Sequence, residues 1–295
     1  MNLEKNKINL CDVMEGLRTL PDQCADIVLL DPPYNIGKNF GNSKYDLEID
    51  EYVEWAVQWI RESERILKDS GTLFIYGFSE ILAHLSVNVN IPHRWLIWHY
   101  TNRTTPSKFW QRSHESIVVG WKKKSSRIFN LDDVREPYTQ TYINGYSSGN
   151  VVRPSTKGRF QHKTEKGTET LYKPHKKGAL PRDVLKEGAL AGGKALPEKW
   201  TYCKTCNNIV PPKLYRQHKS HDLIKHPTQK PQQLTRRLFS SCKPSAGGLV
   251  VVPFAGSGSE CVVAKKMKMD FIGFELNKDY AQLANAWAEE ENNEW

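Results

Sequence analysis

The chain has 295 residues, enough for one large core with an insert, and its 42 lysines and arginines against 33 aspartates and glutamates give a net charge of +9. Its apolar stretches run to about four residues, far short of the roughly 18 of a membrane span, and the opening Met-Asn-Leu-Glu-Lys lacks a signal-peptide layout, so a cytoplasmic protein is expected. The six cysteines are mostly scattered, which suits a reducing compartment better than a disulfide framework.

In chain order, the first informative segment is Asp26-Ile-Val-Leu-Leu-Asp31-Pro32-Pro33-Tyr34. An unbroken apolar run ending in an acid, two prolines and an aromatic predicts a strand buried on both faces that delivers a stiff polar loop. Each proline fixes its own φ and restrains the residue before it, so the Asp31 carboxylate and the Pro32 carbonyl point in set directions. Two such acceptors suit an exocyclic amino group, whose lone pair they would help localise on nitrogen. Tyr34 offers an aromatic face for a base turned out of its stack. The competing reading is a proline turn with a packed tyrosine.

After a polar loop from Asn35 to Asp50, whose part from Gly37 to Tyr45 could close over such a base, the spacing of Val53, Ala56, Ile60, Ile66 and Leu67 predicts an amphipathic helix over 52–68. Strands follow at 71–77, 94–100 and 115–121, with Ser79 as the cap of a helix reaching Val87.

Between residues 122 and 225 regular signals fade and charge accumulates: 22 Lys and Arg against 9 Asp and Glu, a net of +13, while the remainder is slightly acidic. A basic insert on a near-neutral body predicts a polyanion partner, most simply the backbone of double-stranded DNA, with a solvated lysine-rich loop as the alternative. Arg153, Lys157, Arg159, Lys163 and Lys166 are candidate phosphate or base contacts. Within the insert, Cys203-x2-Cys206, eleven residues, then His218-x2-His221 places four potential zinc ligands, with His226 as a substitute. The gap between the histidines is shorter than usual, and two reduced cysteines in a turn with histidines near phosphates is the other reading.

Lys230-Pro231 then opens a helix to about Cys242, and residues 247–252 form another buried strand. Pro253-Phe254-Ala255-Gly256-Ser257-Gly258 would turn that strand into a helix through Lys266, a nucleotide-sized seat because glycine admits a ligand close to the backbone. The strand at 270–275 ends in Glu275, about 20 residues after the turn, where a carboxylate can hold ribose hydroxyls. Neither Gly-Lys-Ser nor Gly-Lys-Thr is present, which argues against a triphosphate loop.

The motifs Asp31-Pro32-Pro33-Tyr34 and Pro253-Phe254-Ala255-Gly256-Ser257-Gly258 resemble the catalytic and cofactor motifs of the amino-group DNA methyltransferases that use S-adenosyl-L-methionine. Their order, catalytic motif first with a long insert, resembles the permuted beta class. His226-Pro227-Thr228-Gln229-Lys230-Pro231 is similar to the segment that the family sets near the methionine end of the cofactor, which makes Thr228 and Lys230 cofactor residues. By the same resemblance Asp12 takes the place of the adenine-contacting acid, with a helix N-cap as the equal alternative, and Asp31 touches both cofactor and substrate. One departure is Val252, where the family carries aspartate, so a polar contact at the turn is missing or comes from elsewhere.

What the resemblance implies is an α/β, doubly wound, mostly parallel Rossmann-like sheet. Residues 1–121 and 226–295 would form the catalytic domain and 122–225 a target-recognition insert. The expected reaction is methyl transfer to N6 of adenine in DNA, with Asp31 and Pro32 binding the amino hydrogens, Pro33 stiffening the loop and Tyr34 stacking on the base. Transfer to N4 of cytosine and an inactive DNA-binding module on the same fold are the alternatives. The chain lacks the Pro-Cys dipeptide of ring-carbon cytosine methylation. A cognate restriction endonuclease is a candidate partner, and monomer and homodimer both stay open.

Overall fold

A computed structural model describes residues 3–35, 47–101, 108–147, 152–153, 170–171, 174–190 and 199–290. In chain order the elements are β1 (Lys7–Leu10), α1 (Val13–Thr19), β2 (Ala25–Leu30), α2 (Ile49–Ile66), β3 (Leu67–Gly77), α3 (Ser79–Ser86), β4 (His93–His99) and β5 (His114–Trp121). There follow α4 (Gln140–Ser147), β6 (Val152–Arg153), β7 (Thr170–Leu171), β8 (Val184–Lys186), β9 (Thr201–Cys203), β10 (Asn208–Val210), β11 (Leu223–Ile224), α5 (Gln232–Cys242), β12 (Leu249–Val252), α6 (Ser259–Lys266), β13 (Asp270–Glu275) and α7 (Lys278–Glu289).

Eight strands form one sheet in the order β1-β13-β12-β2-β3-β5-β4-β8. Only β5 runs against its neighbours, pairing antiparallel with β3 and β4, so the mostly parallel sheet expected from the sequence is present. The apolar runs behave as a two-sided core requires. Ile27 and Leu29 of β2, with Val250 and Val252 of β12, join a layer closed by α5, α6 and α7. Val28, Leu30 and Val251 join the opposite layer, closed by α1, α2 and α3. Trp59 and Trp287, both fully buried, anchor the two layers. Truncating either to alanine costs roughly 3–5 kcal/mol.

Register positions the site. β12 pairs with β2 through Val250↔Ile27 and Val251↔Val28, so Asp31 and Pro253 leave adjacent strands at one edge. β1 pairs with β13 through Leu10↔Glu275, which brings Asp12 and Glu275 to that same carboxyl edge, where open α/β sheets bind ligands.

Three local expectations shift. Helix α2 ends at Ile66 rather than Lys68, because Leu67 turns extended (φ −70°, ψ 132°) and starts β3, where Lys68 reaches Asp26 at 2.8 Å. Ser79 does not cap α3; Phe78 holds that position without a side-chain cap, and Ser79 Oγ instead meets Ser116 Oγ at 2.8 Å and His114 Nε2 at 3.2 Å. Strand β1 and helix α7 were not expected, whereas helix α1 follows the N-cap that was one of the two readings of Asp12.

The chain divides into two compact units, Met1–Asn130 with Asp183–Trp295 and Leu131–Arg182. In the larger unit, Trp200 stacks on Trp287 (5.3 Å, 22° between planes) and Tyr202 and Val210 are buried, which seats the small sheet β10-β9-β11 on α7. The smaller unit is tied by reciprocal backbone bonds between Glu136 and Ala179 (3.0 and 2.7 Å) and by Arg135 donating to the Gly178 carbonyl at 3.0 Å. The loop from Gly37 to Tyr45, the Arg153 side chain, and Lys157, Arg159, Lys163 and Lys166 lie outside the described residues.

Candidate active site

Beyond the tip of β2, the Asp31–Tyr34 loop is fixed from several sides. The Tyr52 hydroxyl of α2 donates to the Pro33 carbonyl at 2.8 Å. The Tyr34 hydroxyl lies 2.8 Å from Asp31 Oδ1 and 2.9 Å from Glu115 Oε2 of β5, and the Lys230 ammonium donates to it at 3.0 Å. Lys230 Nζ also reaches Asp31 Oδ1 at 2.9 Å and Glu115 Oε2 at 3.5 Å. Only 4% of the Lys230 side chain is exposed, and the cation lies over the rings of Tyr34, Tyr76 and Trp98 at 5.1–5.9 Å.

Burial by itself would push the Lys230 pKa down, but the charges of Asp31 and Glu115 outweigh it and the net direction is up. The ammonium is a fixed charge beneath the loop. Burial, reinforced by the same two carboxylates, raises the Tyr34 phenol well above its ordinary value, so it remains a hydrogen-bond donor. The result is an Asp31 carboxylate with one oxygen held twice. No described residue hydrogen-bonds the other, Oδ2, and Asp31 lines the cleft.

Tyr34 sits differently from a free stacking platform. Its ring is 8% exposed and packs edge-on to Phe78 at 4.9 Å, over whose ring the Arg112 guanidinium lies at 3.8 Å.

At the tip of β12 the expected turn is present. Gly256 and Gly258 both adopt positive φ, +51° and +80°, and Gly258 is the N-cap of α6. A Cβ on Gly258 would sit 2.7 Å from the Ala284 Cβ, and one on Gly256 2.8 Å from His226 Nε2. Only glycine meets both the backbone and the space requirement there. Glu275 accepts from the Gly256 N–H at 2.8 Å through Oε2 and from the Asn277 N–H at 2.8 Å through Oε1. Those bonds lock it at the strand end, and burial raises its pKa. With Val252 buried in its strand, the polar contact at the turn comes from Glu275. Asp12 caps α1, accepting from Met14 N at 2.8 Å, and also lines the cleft.

One cleft of about 200 Å³ joins these parts. Its lining contains Asp12, Asp31 to Tyr34, Thr228, Lys230, Pro253 to Ser257 and Glu275; Gly258 stands behind it at the start of α6. Lys230 lines the same cleft, with its ammonium against Asp31 and Tyr34. The sequence reading missed Trp55, Phe78, Glu115, Glu260 and Tyr280. Trp55 meets Phe254 edge-on at 5.8 Å, and His226 meets Tyr280 at 4.7 Å. His226 therefore belongs to the cleft and not to the Cys/His cluster, which consists of Cys203, Cys206, His218 and His221.

Glu260, the second residue of α6, is 3% exposed. Ser259 Oγ donates to its Oε2 at 2.7 Å, while Oε1 has no hydrogen-bond partner among the described residues. Burial, and then the charge of Asp31, raise its pKa to about 7. In all, five carboxylates face the cleft, those of Asp12, Asp31, Glu115, Glu260 and Glu275, against one lysine. That balance favours a cationic ligand over a phosphate-bearing one.

The model of the DNA methylase family, which covers N6 and N4 transfer, matches residues 25–286. Type II methyltransferase M.HpaI of Haemophilus parainfluenzae is 25% identical over 96% of this chain and 74% of its own. The DNA adenine methyltransferase YhdJ of Escherichia coli (strain K12) is 24% identical over 92% and 79%. Among solved structures, the M1.HpyAVI complex with SAM superposes with a TM-score of 0.56 at 16% identity, covering 96% of this chain and 99% of that one, a likeness of fold.

Proposed function

Because the chain belongs to the N6/N4 DNA methylase family, a family of DNA methyltransferases, we propose that it transfers a methyl group from S-adenosylmethionine to the N6 amino group of adenine in duplex DNA. The observation that carries this reading is the Asp31 carboxylate, held at Oδ1 by Tyr34 and Lys230, in the lining of a cleft that also contains a glycine turn and Glu275.

The residues present fit the cofactor. Gly256 and Gly258 leave room for a nucleoside against the backbone, Glu275 keeps lone pairs for ribose hydroxyls, and the excess of carboxylates suits a sulfonium cation. S-adenosylmethionine supplies an electrophilic methyl group. The chain itself binds and orients the acceptor: the Asp31 carboxylate and the Pro32 carbonyl accept hydrogen bonds from the two amino hydrogens and localise the nitrogen lone pair. Lys230 and Tyr34 keep the carboxylate from rotating, and Tyr52 fixes the Pro33 carbonyl, so the acceptors are in place before substrate arrives. Tyr34 and Phe78 form the aromatic side of the base pocket.

The basic stretch 122–225, with Arg153, Lys157, Arg159, Lys163 and Lys166, is the proposed DNA contact, and each phosphate contact adds to the salt dependence of binding. The proposal extends to a cognate restriction endonuclease as functional partner. Methyl incorporation from labelled cofactor into mixed-sequence duplex DNA tests the reading. We expect incorporation by the wild type, and its loss in Asp31→Ala with calorimetric cofactor binding retained. Substantial incorporation by Asp31→Ala would refute the role given to Asp31.

A further inference from the structure

The small sheet β10-β9-β11 has strands of three, three and two residues, too short to hold themselves together by backbone pairing. Four side chains with metal-binding atoms converge at one end of it. Cys203 closes β9, Cys206 lies in the turn before β10, His218 ends the 3₁₀ segment Pro212–His218, and His221 stands two residues before β11. Their ligand atoms all lie within 4.8 Å of one another. His221 Nδ1 is 3.4 Å from Cys203 Sγ and 3.3 Å from Cys206 Sγ, and His218 Nδ1 is 3.6 Å from Cys206 Sγ.

Tetrahedral zinc, with bonds of about 2.3 Å to sulfur and about 2.0–2.1 Å to nitrogen, requires sulfur–nitrogen edges near 3.5 Å. All three measured edges meet that requirement. The Cys206 backbone N–H points at Cys203 Sγ (3.3 Å), a donor placed to stabilise a thiolate. Asn207, at φ +51°, turns the chain sharply after Cys206 and so leaves both sulfurs on one side. We propose that Cys203, Cys206, His218 and His221 bind one structural zinc ion. Two thiolates and two imidazoles favour zinc over the hard cations, which prefer oxygen, and a closed set of four protein ligands makes the site structural.

The ion staples a sheet that buttresses the cleft. Gln282 Nε2 of α7 donates to the Tyr202 hydroxyl at 3.0 Å, and Lys204 pairs with Asp279 at 2.9 Å. At the entrance to β9 the Trp200 N–H donates to Gln229 Oε1 at 3.1 Å, and Lys199 donates to the Pro227 carbonyl at 2.7 Å. Those bonds set the path of residues 226–230, which deliver His226 and Lys230 to the cleft. Resting on the function proposed above, removal of the ion is expected to weaken cofactor binding through this path.

The test is independent of methyl transfer. Untagged protein from zinc-supplemented growth, never exposed to chelator, is expected to contain about one zinc per chain by elemental analysis. X-ray absorption is expected to give a shell of two sulfurs at about 2.3 Å and two nitrogens at about 2.0–2.1 Å. Cys206→Ser should lower the zinc content severalfold, and His221→Cys should retain it with three sulfurs in the shell. Wild type with less than about a tenth of an equivalent, or a shell unchanged in His221→Cys, would overturn the site.

Discussion

Lys230 places its ammonium 2.9 Å from Asp31 Oδ1 in a setting only 4% exposed, so the Asp31–Tyr34 loop rests on a buried cation contributed by a distant segment of the chain. A rigid loop of two prolines fixes backbone direction. The ion pair, together with Tyr34, fixes the rotation of the carboxylate on that backbone.

Lys230→Met leaves Asp31 and Glu115 facing each other without their cation. Removing one partner of a buried pair costs about 3–5 kcal/mol, and the loss of Asp31 orientation is expected to lower kcat by roughly 100-fold. Lys230→Met combined with Glu115→Gln removes one orphaned charge and should recover part of the stability but not the rate. Urea denaturation and single-turnover methylation separate the two effects.

Glu260 gives stability a pH dependence of defined sign. Its folded pKa, about 7, lies above the ordinary 4.5, so the folded state keeps the proton that the unfolded state loses first. Stability therefore falls as pH rises from about 4.5 to about 7 and levels off above that window, by an amount on the order of 3 kcal/mol. Glu260→Gln lacks this loss. Its urea midpoint should exceed that of the wild type at about pH 8 and approach it near pH 4.5.

Glu275→Gln tests the cofactor end of the cleft. The carboxylate accepts one backbone N–H on each oxygen, from Gly256 and Asn277, whereas glutamine has a single acceptor oxygen. One N–H is left facing an amide donor and the ribose contact is weakened, so the Kd for cofactor should rise roughly 10- to 100-fold. Calorimetry measures it, and the rate at saturating cofactor should change far less.

Much of this site is visible in the sequence because it depends on local patterns. The four-residue apolar run before Asp31 and the apolar run before Pro253 each allow only a strand buried on both faces, and proline and glycine set the turns that follow. Parallel pairing then brings the two turns together. The supporting groups carry no such signal. Glu260 lies in the first turn of a helix, where an acid is unremarkable, and only its burial distinguishes it. Glu115 reads as one polar residue at a strand end, and the segment that marks Lys230 gives no sign of its pairing with Asp31. What joins them is long-range packing, which no local spacing encodes. Strands β9 to β11 escaped notice because runs of two or three residues lack periodicity, and the Cys/His spacing was their one visible mark.

The reaction itself is tested most directly by incubating the protein with duplex DNA and methyl-labelled S-adenosylmethionine and digesting the DNA to nucleosides. The label is expected in N6-methyladenine. Recovery as N4-methylcytosine would contradict the assignment of the base, and cofactor bound with no methylated nucleoside from DNA of complete sequence coverage would contradict the assignment of the reaction.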